Sequence, residues 1–296
     1  MKKKIFNIIK IIIPLIVIIV FFLIIFKSYA KDENKLLISK VEEELNFISN
    51  KLIIFSNKLN NISFRNYSVV GFSLNNQDFD EKKDSNENNS QDSSKDSGEV
   101  KNDNKNLLKY ELIKESILND NKNTIDWNYL KNDFESIYLM WTSLILDLTS
   151  LNVDNNDILK CSDILNDLLI SIKEEDKVIV LRNISRLYFF IPKFKEQILE
   201  NDDKIIVNIE YIKYYLINSC SYLEENNFDE INKSLINALE YMQKVLNDIN
   251  NQEKEENSSN KYLHSYILLN ELINSNTFKD NKVFLLKYKL FMESLI

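Results

Sequence analysis

His264 is the only histidine in this chain of 296 residues, so any Cys–His or Ser–His nucleophile pair has to use it. So does an ordinary zinc site with a histidine ligand. It stands in NKYLHSYILLNELI, between Leu263 and Tyr266, on a predicted helix. Glu271 shares its face but is two turns away, too far for the Glu-x-x-His spacing of carboxylate-bridged metal sites. A lone histidine of this kind reads as a structural or surface residue. Cys161 and Cys220 lie in separate helical segments and could join His264 at a metal only by a coincidence of folding. Between themselves they are either a disulfide of an exported protein or, the preferred reading, two small buried apolar side chains.

Other chemistry is limited by what the chain lacks. Its two glycines, Gly71 and Gly98, supply neither a phosphate-cradling loop nor a dinucleotide fingerprint. Paired carboxylates for glycoside chemistry are open to a chain with 45 acids, but no pair stands out. Asp163 reads as a solvated or capping residue. Asp147, within LILDLTSL, has apolar neighbours that could desolvate it and raise its pKa. Asp154, Asn156 and Asp157 have the outline of a calcium loop but lack its glycine and distal glutamate, so they read as helix caps. No catalytic, cofactor-binding or metal-ligating residue is assigned. Tyrosines remain: Tyr211, Tyr214, Tyr215 and Tyr222 on one helix, Tyr262 and Tyr266 on another. They either line a concave surface for peptide or glycan, or edge the core with their hydroxyls in water.

The elements that must carry these residues are helical. Leu37, Val41, Leu45, Ile48, Leu52, Phe55, Leu59 and Ile62 step by three and four along one face. That stripe is either a coiled-coil seam or, the favoured reading, the buried side of a helix packed on the downstream domain. A second helix, capped by Thr124, buries Trp127, Leu130, Phe134, Tyr138, Trp141, Ile145, Leu148 and Leu151. NVDNND then breaks the chain, and Ile158, Cys161, Leu165, Leu168 and Ile172 form the next face.

The stretches 171–191, 221–242 and 271–292 each end a helix, cross a short polar turn and start another. The last two match at a shift of 50, pairing Phe228 with Phe278, Leu235 with Leu285 and Met242 with Met292. Such a period suggests stacked helical hairpins. The polar run 250–260 separates the last two of them, and Pro192 kinks or ends the helix that starts near Asp176.

At the N-terminus Lys2, Lys3 and Lys4 precede an apolar run that reaches Phe26 from Ile11, or from Ile5 if Asn7 and Lys10 are tolerated. The longer count suits a membrane span. Ser28-Tyr29-Ala30 supplies small residues for a cut after Ala30, against which Lys27 argues. The expected arrangement is a single-pass anchor in the lipid bilayer through residues 5–26, with the N-terminus cytoplasmic and the rest outside, or secretion after a cut at Ala30. Residues 75–106 hold only Phe79 and Val100 as large apolar residues and read as a disordered acidic linker. A net charge of −8 with no basic stripe past the first ten residues argues against nucleic acid.

The expected fold class is therefore all-α. Segments 1–30 (membrane anchor), 31–64 (membrane-proximal amphipathic helix) and 65–106 (irregular and disordered linker) precede a bundle or short stack of antiparallel hairpins over 107–296. The hairpin at 221–242 resembles a tetratricopeptide unit, with Tyr222, Phe228 and Ala238 near that unit's pattern positions. The period and the scarcity of small residues depart from it, so the likeness implies stacking and not peptide binding. DWNYLKNDFESIYLMWTSLILDLTSLNVDNNDIL (126–159), with the hairpin at 162–195, is similar to uncharacterised envelope proteins of low-GC anaerobic Gram-positive bacteria. The chain's 42 Asn against two Ala and three Arg fit such an AT-rich genome. That resemblance implies location and fold and carries no activity.

Three functions stay open. One is an envelope interaction module that binds a protein partner or itself. Another is a ligand sensor acting through residues 37–62, and the third a hydrolase with an unrecognised carboxylate site. The anchor reading predicts that N-terminal sequencing of the membrane-retained protein starts upstream of Ala30. A retained form starting at Lys31 would refute it.

Overall fold

A computed structural model of the chain describes residues 33–60, 62, 125–199, 203–251 and 256–295. The apolar segment 5–26, the site after Ala30, the linker 65–106 and Thr124 lie outside them. Every regular element among the described residues is helical: α1 (33–59), α2 (Trp127–Ser150), α3 (Asn155–Lys173), α4 (Lys177–Tyr188), α5 (Phe190–Ile198), α6 (Lys204–Cys220), α7 (Phe228–Asn251), α8 (Glu256–Asn276) and α9 (Asn281–Ser294). Among the described residues no helix is long and apolar enough to cross a membrane.

α1 takes the packed alternative. Val41, Leu45, Ile48, Leu52, Phe55 and Leu59 are buried in one core with residues of α2 to α9. Its partner α2 runs antiparallel, a register fixed by Lys40 bonding Asp147 at 2.6 Å and Lys51 bonding Asp133 at 2.9 Å. Lys58 lies 3.0 Å from the centre of the Tyr129 ring. The residues between Asn60 and Ile125 therefore join two helices of one core and do not separate an outer helix from a domain.

α2 is capped by Asp126, whose carboxylate accepts the Tyr129 N–H at 2.9 Å, two residues after the expected cap. Its core face is Leu130, Phe134, Ile137, Trp141, Leu144 and Leu148. Ile137 and Leu144 replace the expected Tyr138 and Ile145, so the buried face consists of two rows spaced by seven, 130/137/144 and 134/141/148. The buried apolar residues of α3 include all five expected ones. Pro192 acts as its chemistry requires. It has no N–H for the carbonyl four residues back, that of Tyr188, where α4 ends before α5 starts at Phe190. α8 begins at Glu256, inside the polar run expected to be a separator.

The hairpin turns share one solution. Asn152, Glu175, Asn226 and Lys279 have φ between 52 and 59°, the left-handed region that glycine would occupy at least cost. Three of them close the same pair of backbone bonds: Asn152 to Thr149 and Val153 to Leu148, Glu175 to Ile172 and Asp176 to Ser171, Asn226 to Leu223 and Asn227 to Tyr222. After Glu175, Asn226 and Lys279 the very next residue caps the following helix through its side chain: Asp176, Asn227 and Asp280. Matched turn to turn, the shifts are 51 and 53. The shift of 50 pairs Phe228, first residue of α7, with Phe278, which is exposed in a turn.

These three turns and the end of α1 gather at what we call the turn end. Lys131 bonds Glu175, Lys177 bonds Glu224, Arg182 bonds Glu225 and Asn281 donates to the Leu223 carbonyl. The start of α1, the end of α2 and the start of α3 form the opposite, entry end. Between the ends serine takes the place of the scarce alanine where helices approach. Ser171, Ser219, Ser221, Ser234, Ser265 and Ser275 are buried, and each donates its hydroxyl to a carbonyl three or four residues back.

Replacing Lys279 by glycine removes the Cβ clash of that conformation and is expected to raise stability by about 1 kcal/mol. Urea unfolding checks it, and Asn226→Gly should gain less because asparagine tolerates positive φ. An unchanged or lowered midpoint for Lys279→Gly would show that this turn is unstrained.

Candidate functional site

Two charged residues occupy core positions. Lys195 falls on the buried side of α5 with Ile191, Phe194 and Ile198, and is 1 % exposed; Glu210 of α6 is 4 % exposed. The Lys195 ammonium donates to Asn46 Oδ1 of α1 at 2.7 Å and to Glu210 Oε1 at 3.3 Å. Lys213, one turn on, reaches the same oxygen at 3.1 Å. Tyr188 donates to Glu210 Oε2 at 2.7 Å and shares a 2.9 Å hydrogen bond with Ser49 of α1. Both carboxylate oxygens are thus engaged. Burial alone pushes the Glu210 carboxyl up. The Lys213 and Lys195 ammonium groups and the Tyr188 hydroxyl outweigh it and bring the group down to about 2. A carboxylate so firmly ionised is not a proton-transfer group near pH 7. Its work is to fasten α1 to α4, α5 and α6.

Beside this network runs a chain of rings. Trp141, Phe194, Phe190, Phe189, Tyr214, Tyr215, Tyr241 and Tyr211 follow one another with centroids 4.7–6.0 Å apart. It starts in the core and emerges through Phe189, Tyr214, Tyr215 and Tyr241, which are half-buried. Tyr211 is buried and donates to Glu196 Oε2 at 2.9 Å. The Lys244 ammonium sits 3.8 Å over Tyr241. Burial pushes the Tyr214 phenol up to about 12, with Tyr215 and Tyr222 adding to it; burial also raises Tyr211, Tyr215 and Tyr241. This face therefore presents ring surfaces and neutral hydroxyls, the chemistry of recognition.

The residues weighed from sequence scatter. His264 is exposed on α8, and the Glu271 carboxylate is taken by Lys287 of α9. Asp147 has the Lys40 ammonium at 2.6 Å in place of the apolar surroundings expected from its sequence neighbours. Asp163 is exposed. Asp154 caps α3 by accepting the Asn156 N–H, and the buried Asp157 accepts from Lys193 at 2.7 Å. Cys161 and Cys220 are free and buried. Cys161 lines a cavity of about 10 Å³ with Leu45, Ile48, Trp141, Leu187 and Phe194, room for one water at most and too apolar to hold it. Tyr222 stacks under Arg182, 3.2 Å from its ring centre. Tyr262 and Tyr266 are half-buried on α8.

The network itself escaped the sequence reading. Its signal was there: Lys195 stands four residues after Ile191 and three before Ile198, and Glu210 three after Val207, all positions that one apolar stripe should fill.

In comparison with known proteins, no family model matches the chain, no curated protein is significantly similar to it, and no solved structure significantly resembles its fold.

Glu210 sets an expectation for acid stability. Its carboxyl lies near 4.5 when unfolded and at about 2 when folded, so its stabilisation is complete above about pH 4.5 and is lost as pH falls towards 2. The difference corresponds to about 3 kcal/mol. Glu210→Gln should lose stability of that order at pH 7, and its unfolding midpoint should vary less than the parent's between pH 4.5 and 2. Parallel pH profiles for the two proteins would contradict this account.

Proposed function

We propose that the chain is a single-pass protein of a cell envelope whose all-α domain, outside the cytoplasm, is an interaction module binding a protein partner through Phe189, Tyr214, Tyr215 and Tyr241. The observation that carries the reading is this tyrosine face. Its rings are already ordered against one another, so little side-chain entropy is left to lose on binding, and its hydroxyls stay neutral donors and acceptors. The attachment rests on the apolar run 5–26 and the lysines before it.

In this reading the module sits close to the bilayer. Only residues 27–32 separate the apolar run from α1, and α1 belongs to the core. A second reading, ligand occupancy passed to the membrane through α1, is favoured by one observation: Asn46 and Ser49 tie that helix to Lys195 and Tyr188, so a displacement of α4 or α5 moves it too.

The test is mild crosslinking of membranes carrying the full chain or its Tyr215→Ser/Tyr241→Ser double variant, after both are shown to unfold at similar temperatures. The parent should yield a defined adduct that the variant loses. An undiminished adduct would move the binding surface elsewhere, and monomer alone in every growth state would refute the interaction.

A further inference from the structure

The outer face of α2 changes character along its length. Its first half shows Asn128, Tyr129, Asn132, Glu135 and Tyr138 to solvent, with Lys131 half-buried; its second half shows Leu139, Thr142, Ser143, Leu146, Thr149 and Ser150. From Ser136 to Leu151 the only charged residue is Asp147, which is bonded to Lys40. The hydroxyls of this half are largely spent on their own helix. Thr142 donates to the Leu139 carbonyl, Thr149 to that of Ile145 and Ser150 to that of Leu146, all at 2.7–2.9 Å. Such a face leaves water at low cost, because these donors do not have to be stripped of solvent partners.

Leucines of the neighbouring helices extend it. The Lys40–Asp147 bond sets Leu36, one turn earlier in α1, beside the last turn of α2. Trp141 Nε1 donates to Ser162 Oγ at 3.0 Å, which in an antiparallel pair brings Leu159 of α3 level with Leu144, within a turn of Leu146. Leu36, Leu139, Leu146 and Leu159 are 63–74 % exposed. The α2 face itself differs from that of α8, where the exposed Leu263 and Ile267 stand among Lys261, His264 and Glu271.

We propose that the second half of this α2 face, uncharged but for the paired Asp147, rests on the lipid surface together with the exposed Leu36 of α1 and Leu159 of α3. The inference depends on the anchor reading above and deepens it. It commits to lipid because of where the chain enters. Residues 27–32 can span at most about 20 Å, so the entry end stays near the interface while the turn end, with its ion pairs, is held away. A polarity that falls along α2 towards the anchor is what a bilayer selects; a surface for a second copy has no reason to be graded in that direction.

The test uses the full chain in phosphatidylcholine vesicles, with and without phosphatidylglycerol, and an environment-sensitive fluorophore at one introduced cysteine: Leu146→Cys, Leu159→Cys, Asn128→Cys or Ile18→Cys. The native cysteines are buried, so the folded protein takes the label at the new site. With a nitroxide quencher on the lipid, probes at 18, 146 and 159 should lose most of their emission in both lipids and at high salt, and the probe at 128 should keep it. Quenching at 18 without quenching at 146 and 159 overturns the proposal and leaves the anchor standing. If the Leu146→Cys variant then crosslinks to itself, the face belongs to a second copy. No quenching at 18 removes the anchor reading and this inference together.

Discussion

An ammonium group held in the core is the constraint around which this fold is arranged. Lys195 has no route to water, so Asn46 and Glu210 must stand where they do, and Glu210 in turn needs Tyr188 and Lys213. Four helices are thereby fixed by one set of charge-assisted bonds. Removing one member of such a set costs more than the set contributes over an apolar equivalent, because the remaining charges stay buried. The arrangement specifies a single docking position for α1, which an apolar stripe alone would allow to slide by a turn. The break at Phe189, forced by Pro192, makes α5 a separate helix and sets the direction from which Lys195 enters.

The second organising pressure is compositional. A chain with two alanines and two glycines cannot use the usual small residues at close helix contacts or the usual glycine after a helix. Serines with self-bonded hydroxyls fill the first role, and Asn152, Glu175, Asn226 and Lys279 the second. Each substitution gives up a little local stability. Polar ties between successive turns at one end of the stack, from Lys131 to Asn281, add back contacts that no single hairpin could make.

Much of this was legible in the sequence, for a physical reason. Apolar steps of three and four report burial directly, so the faces of α1 and α3 read correctly, and Pro192 announced its break through a missing N–H. Errors arose on α2, where adjacent apolar residues compete for one place in the stripe (Ile137 against Tyr138, Leu144 against Ile145), and where the signal was not periodic. The pairing of Phe228 with Phe278 followed similar letters, whereas the turns follow backbone conformation, and φ has no letter when glycine is absent. Asp147 was judged by its neighbours in the chain, but its real neighbour, Lys40, is 107 positions away. The ring chain from Trp141 to Tyr211 is half visible in sequence: Tyr211, Tyr214 and Tyr215 cluster on one helix, while Phe189, Phe190 and Phe194, which carry it into the core, lie outside that helix. Lys195 and Glu210 are hard to read from sequence because each, alone, is one more charge on a chain with 37 basic and 45 acidic residues.

The antiparallel pairing of α1 with α2 has a consequence for the order of events during synthesis. α1 leaves the ribosome before every other described helix, yet every surface it packs on is encoded after it, and Tyr188 and Lys195, which fasten it, come 139 and 149 positions after the residues they hold. The hairpins from α3 onward close locally and have little to wait for. Until they are made, the apolar stripe of α1 has none of these surfaces to cover it. The burial of that stripe is then among the last steps of folding.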